Sequence, residues 1–134
     1  MSVFGALGIA GSGLVTHRKW LDAVSDNVAN MNDATSTDKP AFRARMVEAQ
    51  AVDYGTGDGG VHVSGVRFGS AAGRVVHEPG NPLADANGDV RYPDIDLGDQ
   101  MTQMIMAQRG YQANVTAITR ATDAYEAALR LGKG

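Results

Sequence analysis

Leu97-Gly98-Asp99-Gln100-Met101-Thr102-Gln103-Met104, continued to Leu131-Gly132, is the stretch whose reading decides the fold. Leu97, Met104, Tyr111, Ile118 and Tyr125 share one heptad position, and Met101, Gln108, Val115, Thr122 and Leu129 share the other. A seven-residue period sustained over that span predicts a coiled-coil helix rather than an ordinary surface helix. Pro93 precedes it, Asp96 is placed to cap it with Asp99 three residues on, and Gly132 stands where a helix would stop. Acids gather at its start and Arg130 and Lys133 at its end, matching the helix dipole. A helix from Leu97 to Leu131 would be ~50 Å long at 1.5 Å per residue. Such a helix needs a partner along its apolar seam.

The start of the chain offers one. Leu7, Leu14, Leu21 and Val28 hold one seam position, with Val3, Ala10, His17, Val24 and Met31 on the other. Gly5, Gly8, Gly11 and Gly13 each weaken a helix by about 1 kcal/mol relative to alanine, so this helix is predicted to be secure only from about Leu14. It should end near Asn30 to Asn32, where asparagine tolerates the left-handed conformation. Alanines at 107, 113, 117, 121, 124, 127 and 128 would let helices approach closely.

Between the helices the period changes to two. Phe42, Ala44, Met46 and Val47 read as one strand, Val61, Val63 and Val66 as a second, and Val75 and Val76 as part of a third. Asn87-Gly88 before Val90-Arg91-Tyr92 is a hairpin signal, predicting a type I′ turn with positive φ at both residues. The fold class is therefore α+β: a coiled-coil-like pair of long terminal helices with a small antiparallel β insertion. Segments 1–32 and 94–134 are the helices and 33–93 the loop and insertion, of which Phe42 to Tyr92 is read as an independently ordered β unit.

Composition bounds the function. The chain has 134 residues, no cysteine and a net charge of −3. Disulfides, thiolate metal sites and cysteine nucleophiles are excluded, and the scattered Lys and Arg form no phosphate-binding patch, so no nucleic-acid partner is expected. With 17 glycines and eight aromatics, material for a compact core is thin. The apolar stretch from Val3 to Val15 has no preceding basic residue and no convincing cleavage site, so a cleaved signal is not expected.

Each pattern that resembles chemistry reads better as structure. Gly55-Thr56-Gly57-Asp58-Gly59-Gly60 matches GxGxxG, but a strand follows where a dinucleotide site needs a helix. Asp85, Asn87, Asp89 and Asp96 imitate a calcium loop, but Val90 stands where the turn needs glycine. His17, His62 and His77 lack ligand spacing, Asp94, Asp96 and Asp99 suit a helix start, and Met101, Met104 and Met106 suit packing. No catalytic residue, metal site, cofactor or small-molecule substrate is expected.

Ser25-Asp26-Asn27-Val28-Ala29-Asn30 resembles the SxNxAN motif that closes the N-terminal helix of the flagellar axial proteins, the rod and hook family. Met101, Met104, Ala107, Arg109, Tyr111, Ala113 and Asn114, followed by Leu129-x-Leu131-Gly132, resemble that family's C-terminal helix signature. The stretch from Glu78 to Pro93, with Ala84-Asp85-Ala86-Asn87-Gly88 inside it, is similar to that of its proximal rod members. The chain departs from that pattern at Phe42, Asp94-Ile95 and Gln100, the last a glutamate in the family, all read as lying off the seam.

The resemblance implies a structural subunit of the drive shaft that crosses the periplasm in the basal body. Copies of itself and other rod proteins would be its partners, and the flagellar type III apparatus its export route, with the N-terminus retained. The assembly seam would then be Leu7, Leu14, Leu21, Val24, Val28, Leu97, Met101, Met104, Tyr111, Val115, Ile118, Tyr125 and Leu129. Both ends are expected to be poorly ordered in a lone chain and to fold on assembly. The rival readings are a soluble dimeric coiled-coil adaptor, and a small enzyme or metal protein using the loop from Asp85 to Asp99.

Overall fold

The computed structural model describes residues 2–55 and 59–133. The elements run α1 (Val3–Asn30), β1 (Arg45–Asp53), β2 (Gly59–Phe68), β3 (Arg74–His77), β4 (Asp89–Tyr92) and α2 (Leu97–Gly132). This is the expected α+β arrangement, with the insertion resolved into two antiparallel ribbons, β1–β2 and β3–β4. The GxGxxG stretch falls partly on residues 56–58, outside the described residues.

The helix limits follow from local chemistry. α2 starts where Asp96 accepts a hydrogen bond from the Asp99 amide at 2.8 Å, the expected cap. α1 starts earlier than its glycines suggest, because the Ser2 hydroxyl caps it by accepting from the Gly5 amide at 3.0 Å. Pairing with α2 along its whole length outweighs the low propensity of its first half. No left-handed asparagine ends it: Met31 stays right-handed, and Asn30 instead donates from Nδ2 to the Asp26 carbonyl at 2.7 Å.

The β1–β2 ribbon lies along α1. At one end Asn27 bonds to Arg45, and at the other the Val61 amide donates to the Ser12 hydroxyl at 3.0 Å. Pairing begins at Arg45, leaving Phe42 and Ala44 ahead of the strand. The ribbon is kinked by a register shift between Glu48 and Ala49.

A second small core gathers under β3–β4. Val90 and Pro93 are fully buried, and Ala41 and Ile95 nearly so. The backbone passes closely here: Gly73 has φ 58°, and a Cβ on it would overlap the Tyr92 carbonyl and the Ala41 methyl.

The loop between β3 and β4 departs from the predicted type I′ turn. Only Gly88 has positive φ, at 80°. The Asp85 carboxylate organises the loop instead, accepting from the Asn87 amide at 2.8 Å, the Asp89 amide at 3.1 Å and the Thr37 hydroxyl at 2.7 Å. Those donors, the Thr37 hydroxyl foremost, hold the Asp85 carboxyl below its ordinary range. Glu78 is lowered by Asn81 and then by the Tyr92 hydroxyl, whose own ionisation is raised by Glu78.

A carboxyl lowered on folding stabilises the native state above its unfolded value of about 4 and loses that contribution as pH falls through the lowered folded value. Amide-exchange protection at Asn87 and Asp89 should therefore hold at neutral pH and drop on acidification below about pH 4. In Asp85→Asn the drop should be absent. An unchanged acid transition in that variant would assign it to another group.

Candidate assembly surface

The two terminal helices pair antiparallel. Phe4 meets Tyr125 edge-on with ring centroids 5.5 Å apart, and Trp20 Nε1 donates to Gln103 at 3.3 Å. Near the other end of α1, Asn27 Nδ2 donates to Gln100 at 2.9 Å. Between these points the backbones come close at two glycines. A Cβ on Gly13 would lie 2.5 Å from the Asn114 side chain, and one on Gly110 would overlap the His17 ring. Each helix thus inserts one polar side chain into a notch left by a glycine on the other. His17 Nδ1 donates to the Gly13 carbonyl at 2.7 Å and Asn114 Nδ2 to the Gly110 carbonyl at 2.8 Å, so both inserted side chains are tied to their own helix.

This inner line differs from the heptad reading in one row. In the first row Met104, Tyr111 and Ile118 are half-buried as predicted while Leu97 and Tyr125 at its ends are exposed, and the second buried line on α2 runs through Gln100, Ala107, Asn114 and Ala121. Met101, Gln108, Val115, Thr122 and Leu129 are exposed. The reason is steric: helices brought together at Gly13 and Gly110 leave room for alanine and for side chains tied to their own backbone, not for a row of large apolar groups. Gln100, read as off the seam, lies in it and is buried.

The motif residues take distinct roles. Asn27 is 1% exposed and fully bonded: Oδ1 accepts from the Arg45 amide at 2.8 Å, while Nδ2 donates to the Arg45 carbonyl and to Gln100. It clasps α1, β1 and α2 at one point. Asn30 is half-buried against its own helix, Ser25 and Ala29 are exposed, and so are Arg109 and Ala113 on α2. On α1, Val24 is buried and Leu7, Leu14, Leu21 and Val28 are half-buried.

What remains outside is an apolar row on α2. Leu97, Met101, Ile105, Val115 and Leu129 are all exposed, Met101 by 54%. Ile105 and Met106 are exposed apolar residues that the heptad reading passed over, although the turn-by-turn spacing of Leu97, Met101 and Ile105 marks a face. Among the described residues no group of three or more His, Cys, Asp and Glu could hold a metal ion. No described helix is long and apolar enough to cross a membrane.

A long helical pair with a β insertion and an uncovered apolar row is the form of a subunit made to pack with others, and comparison with known proteins gives the class. Residues 87–131, covering β4 and nearly all of α2, match the family described as flagellar basal body rod FlgEFG protein C-terminal. The chain is 38% identical to the flagellar basal-body rod protein FlgC of Salmonella typhimurium, over 99% of its own length and all of that protein. The FlgC proteins of Yersinia enterocolitica, at 38%, and Bacillus subtilis, at 29%, align over 99% of the chain and all of their own lengths. The chain belongs to the FlgC family of flagellar basal-body rod proteins. It is a structural rod protein of the bacterial flagellum, and the soluble-adaptor reading is set aside.

Proposed function

We propose that the chain builds the rod by laying the exposed row of α2 against the terminal helices of neighbouring rod subunits, copies of itself and other rod proteins among them. The observation that carries this is the row itself. The chain's own helix pairing leaves Leu97, Met101, Ile105, Val115 and Leu129 in solvent, and exposed apolar faces of that extent mark contact surfaces. In this reading 1–32 and 94–134 are the axial segments and 33–93 sets position within the rod. Leu21 and the other half-buried α1 residues complete the seam. Catalysis has no part in it, a reading supported by the structural role of the relatives. Family membership also supports export through the flagellar type III apparatus.

The test is Met101→Asp combined with Ile105→Asp. Neither side chain is buried, so the isolated variant should keep its fold within about 0.5 kcal/mol while rods and motility are lost, because neighbours would have to bury unpaired charges. Intact basal bodies in that variant would overturn the proposal.

Assembly also completes the folding of the ends. Within the pair the buried apolar residues are only Ala10, Ala23, Val24 and Ala107, set against the 28 residues of α1 and 36 of α2 that must be ordered. Ordering costs about 1–2 kcal/mol per residue in backbone entropy. Hydrogen exchange on the dilute chain should find both helices paired but less protected than β3–β4, with protection rising on assembly. Protection of both equal to that of β3–β4 in a confirmed monomer would leave assembly no folding to complete.

A further inference from the structure

α2 outruns its partner. α1 begins at Val3, where Phe4 packs on Tyr125, yet α2 continues to Gly132. Its last two turns therefore project past α1 with no helix beside them, and Leu131 is 84% exposed. One face at this end of α2 carries Ala127 and Leu131, flanked by Glu126 and Arg130, with Asp123 on the same face just inside the paired part.

Elsewhere on the chain a cleft of about 290 Å³ opens between α1 and the β1–β2 ribbon. Its lining is small and apolar, with Ala23 from α1 and Val47, Val63 and Val66 from the ribbon, while Lys19 and Asp22 stand on its α1 side. Asp26 and Arg45, also in the lining, form an ion pair with each other. Among the described residues Lys19, Asp22 and Asp123 have no ion-pair partner, and Arg130 has only Glu126 at 3.8 Å.

We propose that the projecting end of α2 from one copy of this chain docks in the α1–ribbon cleft of the next. This rests on the rod-subunit reading and names the partner and seat of one of its contacts. Ala127 and Leu131 suit a lining of alanine and valine, and the charges complement: Asp123 faces Lys19, and Arg130 faces Asp22.

The projection cannot fold back into its own cleft. It leaves the pair beyond Val3, and Lys19 lies about 24 Å further along α1 in the opposite direction, at 1.5 Å per residue. Tail and cleft are different surfaces, so the contact is head-to-tail and, in an open helical rod, repeats from copy to copy. Two helical turns bury much less than the roughly 1,200 Å² of a stable isolated interface, so the contact forms within an array and not between dilute monomers.

The absence of cysteine makes a clean test possible. Val66→Cys and Leu131→Cys are introduced together into the full chain, expressed in cells of its source lacking their own copy. Isolated basal bodies are oxidised and run without reductant. Covalent dimers and longer ladders are expected, and none with Val75→Cys in place of Val66→Cys, since Val75 is exposed on β3 outside the cleft. Assembled rods without a ladder would overturn the docking and leave the rod reading standing. Unaltered chain that forms no rods in those cells would sink the rod reading instead.

A second arm needs no thiols. Lys19→Glu and Asp123→Lys should each lower rod number at least about tenfold by setting like charges together, and the double variant should recover it. A double variant no better than either single one would also overturn the docking.

Discussion

Asn27→Leu is expected to destabilise the protein by about 2–4 kcal/mol, a large share of the stability of a small domain. Leucine shares asparagine's branched shape, so beyond the added bulk of its methyl groups the cost comes from the partners left behind. The Arg45 amide and carbonyl and the Gln100 side chain would lose hydrogen bonds of 2.8–2.9 Å, the one to Gln100 fully buried. Each stranded group costs about 1–3 kcal/mol, tempered where the exposed start of β1 lets water reach Arg45. Urea denaturation gives the number. Gln100→Leu supplies the control, since it should cost less alone, and the double variant should cost less than the two single losses added, because the partners share one bond. Strict additivity would mean that the Asn27–Gln100 bond contributes nothing. Asn27→Asp separates geometry from donation: aspartate can still accept from the Arg45 amide but has no N–H for Arg45 or Gln100.

The same clasp shows what the sequence could and could not say. Asp96 was legible as a cap, because capping is a matter of three or four neighbouring residues and needs nothing from the rest of the chain. The strand at Val61–Val66 was legible through the alternation of Val61 and Val63, the strand at Val75–Val76 through its paired β-branched residues, and the two long helices through their period. The second row of the seam was not. Sorting by apolarity selects Met101, Val115 and Leu129, whereas the row that packs within the chain is Gln100, Ala107, Asn114 and Ala121. Its polar members qualify only because each has a partner, and partners distant in sequence are invisible in a local pattern. The available signal was a glycine inside the period of each helix, Gly13 and Gly110, which marks close approach. The Asn87-Gly88 turn was misread for the opposite reason, since a purely local competitor, the Asp85 carboxylate, takes up the amides of Asn87 and Asp89. The exposed row on α2 was partly legible as Leu97 and Met101, because a stripe that faces neighbours and one that faces a partner helix look alike until the intramolecular partner has been placed.

Gly110→Leu is expected to separate the helices, at a cost of about 3 kcal/mol or more. Leucine is a better helix former than glycine by roughly 0.8–1 kcal/mol, so a purely local account predicts stabilisation and the two accounts differ in sign. The tertiary account wins because a Cβ at this position would overlap the His17 ring, which is held to the Gly13 carbonyl at 2.7 Å and is not free to swing away. Gly8 and Gly11 provide the contrast. A Cβ on either meets nothing within 4 Å, so Gly8→Ala and Gly11→Ala should stabilise the isolated chain by about 0.5–1 kcal/mol each. The Gly110 result is made specific by a cycle with His17→Ala. Gly110→Ala should be destabilising in the parent but close to neutral or stabilising once the ring is gone, a coupling of about 1–3 kcal/mol. Thermal unfolding of the four proteins reads it directly. If Gly110→Ala were stabilising in the presence of His17, the helices would not approach each other at this notch, and the buried row through Ala107 and Asn114 would need another explanation.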